Sequence, residues 1–515
     1  MKKIILSIII LAFIKASAQT PENALRFSYF PQNGTARNLA VGGAMGSLGG
    51  DINATFVNPA GLGFYKTGEV VLSPGFMTSN NRVSYKGTNS QRSGSAVTFG
   101  PSGFVYGFTN RNNPKNSNAI SLAITNSANF HNKHNYSGLN NYSSFAEQFA
   151  EEFAKSGYSI NDVLNTNSPL PYGSAPALFT YLIDTVKVNG VYKVKAAPEY
   201  ILDAGQALYQ ESNQTTKGLG LTEVALGFAH NHLDKLMWGA SLSIPIVDFQ
   251  ETTNFREMDT SSNLSNHFKN FTFQDVLQTR GVGINVRMGM IYRPKEYIRL
   301  GLSIQTPTYM ELTDKRETAM TTDLENPANT FSVNSEAFTN WQPGENNYRQ
   351  ITPFRAILSG SYVFREISDT RKQRAFVTAD IEYVDHKGSS FGSRNENKTD
   401  YEKAYFKSLN KVISNYYKGT FNFRVGGELK FNVIMGRLGL AYYGNPYKGA
   451  GLKASRLLLS GGLGYRNKGF FIDLTYVHSI NKDMMAPYRL EDRANTYAVN
   501  KQVKGTVMAT VGVKF

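Results

Sequence analysis

Seven histidines and no cysteine make up the chain's stock of metal-ligating and strongly nucleophilic side chains. His131 and His134 stand three apart in an Asn-rich stretch with no carboxylate beside them, which is poor spacing for a zinc site. No P-loop and no H-E-x-x-H sequence occurs. An enzyme is therefore not expected, and neither a cofactor nor a metal. The residues that stand out suit binding instead. Phe145, Phe149 and Phe153 recur every fourth residue, behind Ser144 and Glu147 with the spacing of a capping box, and the run closes at Gly157. Such an aromatic stripe either packs a helix on its own domain or lines an entrance groove for an apolar molecule. Asn58-Pro59-Ala60-Gly61-Leu62 reads as a turn, because Asn-Pro biases the backbone and Gly61 frees it. Asn126-Ser127-Ala128 interrupts the alternation of Ile120, Leu122 and Ile124, as a kink or a strand end would.

The elements that carry these residues follow from the chain's ends and its periodicity. Lys2 and Lys3, the apolar run Ile4–Ile14 and Ala16-Ser17-Ala18 form a secretory leader over residues 1–18, so the mature chain is expected to begin at Gln19. The apolar run is too short to span a bilayer, and no later stretch offers the ~20 apolar residues of a membrane helix. The formal charge of +15 is spread thinly, with no basic run of five or more, so nucleic acid is not an expected partner. Contact with anionic lipopolysaccharide, or plain solubility, accounts for it.

Gly505–Phe515 shows the clearest period. Val507, Ala509, Val511, Val513 and Phe515 form one row of a strand, and Thr506, Met508, Thr510, Gly512 and Lys514 form the other. The pattern repeats in Val282–Tyr292, Ile298–Gln305, Trp238–Ile246 and Val377–Tyr383, with Arg, Asp, Glu, Gln and Asn in the second row. A soluble core rejects such polar rows, but a hydrated barrel lumen accepts them. Fourteen strands are expected, near 68–84, 95–109, 117–130, 220–231, 235–252, 280–294, 297–311, 352–366, 374–387, 419–430, 433–444, 455–466, 469–480 and 504–515. Short turns follow the even-numbered strands, and long loops (131–219, 253–279, 312–351, 388–418, 481–503) follow most odd ones. That parity is the habit of outer-membrane barrels. The fold class is all-β, a transmembrane antiparallel barrel over 67–515, with both termini periplasmic.

Ahead of the first strand, Ala36-Arg37-Asn38-Leu39-Ala40-Val41-Gly42-Gly43-Ala44-Met45 is followed by Asn58-Pro59-Ala60-Gly61-Leu62. With Asn126-Ser127-Ala128, Arg424-Val425-Gly426-Gly427 and Ser460-Gly461-Gly462 in the same order, the mature chain resembles the FadL family, which includes toluene and other hydrocarbon transporters. The resemblance implies an N-terminal hatch over 19–66 inside the lumen, with Asn58–Leu62 at or beneath a ligand pocket. It further implies capture of a hydrophobic small molecule at an external groove and sideways exit into the bilayer through a gap at the third strand. Phe145, Phe149 and Phe153 would then mark the groove, and Asn126, Ser127 and Ala128 the gap. Long-chain fatty acids are the kind of cargo it suggests. Outer-membrane lipid, lipopolysaccharide and the barrel assembly machinery are the implied partners, and the cell outer membrane the implied location. Relatives of the PorV type serve instead as structural or shuttle subunits of protein secretion, which is the alternative role.

Overall fold

The structure of the chain is a computed structural model that describes residues 23–202, 205–261, 263, 266–325, 330–364, 374–449 and 454–515. The expected leader and residues 19–22 lie outside the described residues. Three short helices come first, α1 (Asn23–Arg26), α2 (Ala36–Ala40) and α3 (Ala54–Val57), then a 3-10 helix over Pro59–Phe64.

The first barrel strand is β1 (Gly68–Leu72) continued by β2 (Pro74–Tyr85), and the second is β3 (Thr88–Phe99) continued by β4 (Ser102–Thr109). The third is β5 (Ser117–Ala128) continued by β6 (Asn132–Asn140). A folded excursion follows, with helices α4 (Glu147–Ser156), α5 (Ile160–Val163) and α6 (Ser174–Phe179), a hairpin of β7 (Ile183–Val188) and β8 (Val191–Ala196), and α7 (Ala197–Ile201). Three long strands come next, β9 (Leu208–His232), β10 (Leu236–Asp259) and β11 (Asn270–Lys295). The seventh strand is β12 (Ile298–Gln305) with β13 (Tyr309–Asp323), beside the short β14 (Thr330–Asn334). The eighth is β15 (Gly344–Ile351) with β16 (Arg355–Phe364), and the ninth β17 (Ala375–Asp385) with β18 (Ser390–Ser393). Helix α8 (Asp400–Tyr416) precedes the last five, β19 (Gly419–Phe431), β20 (Ile434–Tyr443), β21 (Arg456–Asn467), β22 (Phe470–Met485) and β23 (Ala498–Lys514).

Each strand pairs antiparallel with its neighbour in the chain, and β23 returns to pair with β1 and β2. The result is one closed barrel of 14 strands. Four of the strand breaks contain or adjoin a proline, Pro74, Pro101, Pro307 and Pro353. Proline has no N–H to give the ladder, so it bends a strand there without ending it.

The strands also run further than their alternation indicates. Strand β6 and the start of β9 occupy parts of 131–219, and β10 and β11 leave only 260–269 between them. Past the apolar belt both faces of a strand are wet, so polarity stops alternating while the backbone ladder continues. In β10 the outward row is Trp238, Leu242, Ile244 and Ile246, then Asp248, Gln250, Thr252 and Asn254. The belt of that strand ends at Ile246.

The outward rows are apolar and exposed, for example Phe421, Phe423, Val425, Leu429 and Phe431 on β19. From Phe421 to Phe431 is about 10 residues, which at ~3.3 Å each and ~40° of tilt spans about 25 Å, the height of a bilayer belt. Aromatic rings flank it at the short-turn end (Trp238, Tyr292, Phe431, Phe470) and at the other (Phe421, Tyr442, Tyr476).

Candidate functional site: a bonded N-terminal segment, a cavity and a break in the wall

Residues 23–66 bond to inward side chains from strands spread around the ring. Thr475 Oγ1 donates to Ala36 O at 2.6 Å, and the Ala36 amide donates to Thr510 Oγ1 at 2.8 Å. Arg299 Nη1 donates to Leu48 O at 2.6 Å, Ser241 Oγ to Thr55 O at 2.8 Å, and Ser303 Oγ to Val57 O at 2.7 Å. The polar inward rows thus serve as partners for backbone groups of this segment, which would otherwise be buried unpaired.

Asn58 sits at the centre of one such contact. Its side chain caps the 3-10 helix through the Ala60 amide (3.2 Å) and donates to Gly46 O (2.6 Å) and Met290 O (3.3 Å). Pro59 opens that helix, where a missing N–H costs nothing. Ala60, Gly61 and Leu62 are buried against the wall. The facing wall residue is Gly289, whose Cβ would lie 1.8 Å from Asn58 Oδ1. Gly426 plays the same part under Val41, whose carbonyl oxygen would lie 2.3 Å from its Cβ. The five residues Asn58–Leu62 therefore seat the segment on the wall. Phe56 and Val57, just before them, line the cavity described next.

That cavity, of about 80 Å³, lies between the N-terminal segment and the inward faces of β5, β9, β10, β11, β12, β13, β16 and β17. Phe27, Phe56, Leu221, Met310 and Ile357 form its apolar lining. Its charged lining is paired. Arg287 Nη2 donates to Glu223 Oε2 at 2.8 Å, with Ser243 and Gln305 accepting from its other nitrogens, and Arg355 lies 3.8 Å from Glu382.

Thr125 and Ser127 carry the cavity to the third strand, where the wall is broken. Strand β4 pairs with β5 from Ser102 to Thr109, but among the described residues β3 pairs only with β2, and β6 only with β9. The register between β5 and β9 slips between Asn126 and Ala128. Side chains bridge the break. Asn33 Nδ2 donates to Phe99 O on one edge and to Asn126 O on the other, and Asn129 Nδ2 donates to Val97 O at 2.9 Å. Asn126 Nδ2 donates to Leu219 O at 2.6 Å, and Ser127 Oγ donates to Glu223 Oε1 at 2.7 Å. Strand β6 leans inward past the break, with Asn81 Nδ2 donating to Lys133 O at 2.7 Å. Outside, a recess of about 570 Å³ includes Gly94 and Lys133 in its lining.

Phe145, Phe149 and Phe153 are buried in the external cap. Phe145 stacks on Phe255 with 4.0 Å between ring centroids, and Phe149 meets Phe273 at 5.3 Å. Glu257, on β10 well beyond the belt, accepts from Ser144 Oγ, Phe145 N (3.0 Å) and Gln210 Nε2 (2.6 Å). Burial pushes its carboxyl up to about 7, and burial does the same to Glu147, also to about 7. Gly388-Ser389-Ser390-Phe391-Gly392 has the G-x-S-x-G spacing of a nucleophile elbow, but Ser390 lies in β18 paired with Ile351 and not at a strand-to-helix turn.

Sequence reasoning passed over Asn33, Thr125, Glu223 and Arg355. Arg287 was visible as an inward polar residue, but its partner lies 64 positions away, and no periodicity encodes that pairing.

No family model and no curated protein sequence matches the chain. A solved structure of a Pseudomonas aeruginosa FadL homologue matches over 93% of this chain and 98% of that one, at 12% identity with a TM-score of 0.51. The P. putida toluene transporter TodX matches over 95% and 99%, at 12% identity with a TM-score of 0.48. The chain has the fold of the FadL homologue.

Proposed function

We propose that this chain carries hydrophobic compounds through the bacterial outer membrane. The apolar molecule enters through the external cap and rests in the cavity above Val57. It then leaves sideways into the bilayer between β3 and β6, while residues 23–66 act as a hatch that closes the straight route. Asn126, Ser127 and Ala128 mark the inner edge of the exit, and Asn58–Leu62 anchor the hatch. Phe145, Phe149 and Phe153 hold the cap in shape above the route. No bond-breaking step is involved.

The observation that carries this reading is the coincidence of the cavity with the break in the wall. Thr125 and Ser127 line the one and stand at the other. An interrupted ladder leaves backbone groups that hydrocarbon cannot satisfy. A protein tolerates such a break only where other groups bridge it, and here Asn33, Asn126 and Asn129 do so.

The test locks the break. A Cβ built at Gly94 lies 3.9 Å from Lys133 Cγ, so the two positions face each other across the break. The thiols of a Gly94→Cys, Lys133→Cys variant can be joined by a short, reducible cross-linker, the chain having no other cysteine. Cross-linked, this variant is expected to bind an apolar probe yet stop its delivery to lipid vesicles, with reduction restoring delivery. Equal delivery in both states overturns the lateral route.

A further inference from the structure

We infer that the cavity selects an amphiphile with an uncharged, hydrogen-bonding polar group over both a bare hydrocarbon and a carboxylate. This rests on the transport reading and names the class of its cargo.

Two side chains in the cavity's lining carry buried polar atoms that nothing in the protein satisfies. Thr125 and Asn285 are each 3% exposed, and both line the cavity. Thr125 Oγ1 has no hydrogen-bond partner, nor has Asn285 Oδ1, although the amide nitrogen of Asn285 donates to Thr308 Oγ1 at 3.2 Å. Gln32 Nε2, on the hatch side of the same cavity, is unpartnered as well. A buried polar atom without a partner costs free energy. Other buried polar atoms without partners, such as the side-chain amides of Asn38 and Asn53, lie away from the cavity, whereas these three line it. They offer a hydroxyl, a carbonyl and an N–H, which together suit a group that both donates and accepts.

The charges argue against an anion. Two arginines and two glutamates line the cavity, so its formal charge balances. Arg287 already gives its nitrogens to Glu223, Ser243 and Gln305, and Arg355 is held by Glu382 and Ser28 O. A buried carboxylate would find no free cation there and would keep its desolvation cost. A bare hydrocarbon would fill the apolar side against Phe27, Phe56 and Leu221 but leave the polar atoms unmet. An alcohol, a protonated acid or an amide on an alkyl chain satisfies both sides.

The experiment measures displacement of a fluorescent apolar probe from the full-length barrel by 1-decanol, n-decane and decanoate at pH 8, in the wild type and in Thr125→Val and Asn285→Leu. Preference for decanol over decane is expected to fall about tenfold in at least one variant, one hydrogen bond's worth. Thr125→Ser, which keeps the hydroxyl, is expected to retain the wild-type preference. Decanoate is expected to bind more weakly than decanol. If the preference is unmoved in both variants, or decanoate binds more tightly than decanol, this inference falls while the transport reading stands. If none of the three binds the wild type, the transport reading falls first.

Discussion

Asn33, in the segment ahead of the first strand, donates its side-chain amide to the main-chain carbonyl of Asn126 across 2.7 Å. The same nitrogen donates to Phe99 O at 3.0 Å, so one residue of the N-terminal segment joins both edges of the broken wall. Under the proposed lateral route, whatever moves Asn33 is expected to loosen the exit and so to couple the N-terminal segment to it.

Replacing Asn33 with Leu removes that bridge and leaves the two strand edges held by Asn126 and Asn129. Loss of about 1 kcal/mol of net hydrogen bonding is expected to speed release of a bound apolar probe into vesicles roughly fivefold. Barrel stability should stay within about 1 kcal/mol of wild type. An unchanged release rate would separate Asn33 from the exit.

Gly289→Ala tests the hatch seat. The added methyl group would lie 1.8 Å from Asn58 Oδ1, so the 3-10 helix must lift from the wall. A cost of about 1–3 kcal/mol in unfolding stability is expected, with the N-terminal segment becoming open to protease. In an Asn58→Ala background the added cost should shrink, because the clashing atom has gone. Strict additivity of the two changes in a double-mutant cycle would mean that they do not meet.

The external cap should tighten in acid. Glu257 is fully buried, and among the described residues no cation pairs with it, while Glu147 meets Arg493 at 3.1 Å with Glu199 and Lys195 nearby. Both carboxyls ordinarily titrate at 4.5, and burial lifts both to about 7 in the closed cap. The closed form therefore holds protons more strongly than the open one. Its stability is greatest below 4.5 and falls as the pH climbs from there to about 7. Protease cleavage within 141–202 is expected to be slower at pH 5 than at pH 8. Glu257→Gln, neutral at both, should flatten much of the difference. A profile identical to wild type would acquit Glu257.

The barrel was legible because membrane strands carry their environment in their alternation. Val507 to Phe515 and Trp238 to Ile246 announce two faces, one for lipid and one for a wet interior. The loops were less so: beyond Ile246 the outward row turns polar, and nothing in the residue types separates a wet strand from a coil. Of the site residues, Asn58-Pro59 shows its turn through local backbone chemistry, while only half of the expected capping box forms. The Ser144 amide donates to Glu147 Oε1 at 2.7 Å, its hydroxyl turns to Glu257, and the cap helix begins at Glu147. What Phe145 touches is a different matter. Its stacking on Phe255 spans 110 positions of chain, and burial in a cap reads the same in sequence as exposure in a groove. The cavity is the least legible part, since its charge balance arises only when Arg287 of one strand meets Glu223 of another.

That balance can be upset on purpose. Glu223→Gln removes one negative charge from a cavity lined by two glutamates and two arginines, so a net positive charge remains. Arg287 keeps Ser243 Oγ at 2.5 Å and Gln305 Oε1 at 3.2 Å, which should hold its side chain in place. Leaving a buried charge partly unpaired costs up to about 3–5 kcal/mol of stability, and a bound anion can return part of it. Decanoate is therefore expected to bind the variant more tightly than the wild type, by about tenfold for each ~1.4 kcal/mol recovered. Decanol binding should change little, because its hydroxyl has no need of the freed cation. Added salt should weaken the new decanoate affinity only modestly, since screening is slight in a buried site. If decanoate gains nothing in Glu223→Gln, the Arg287–Glu223 pair does not set the charge preference of the cavity, and the choice between head groups must lie elsewhere in the lumen.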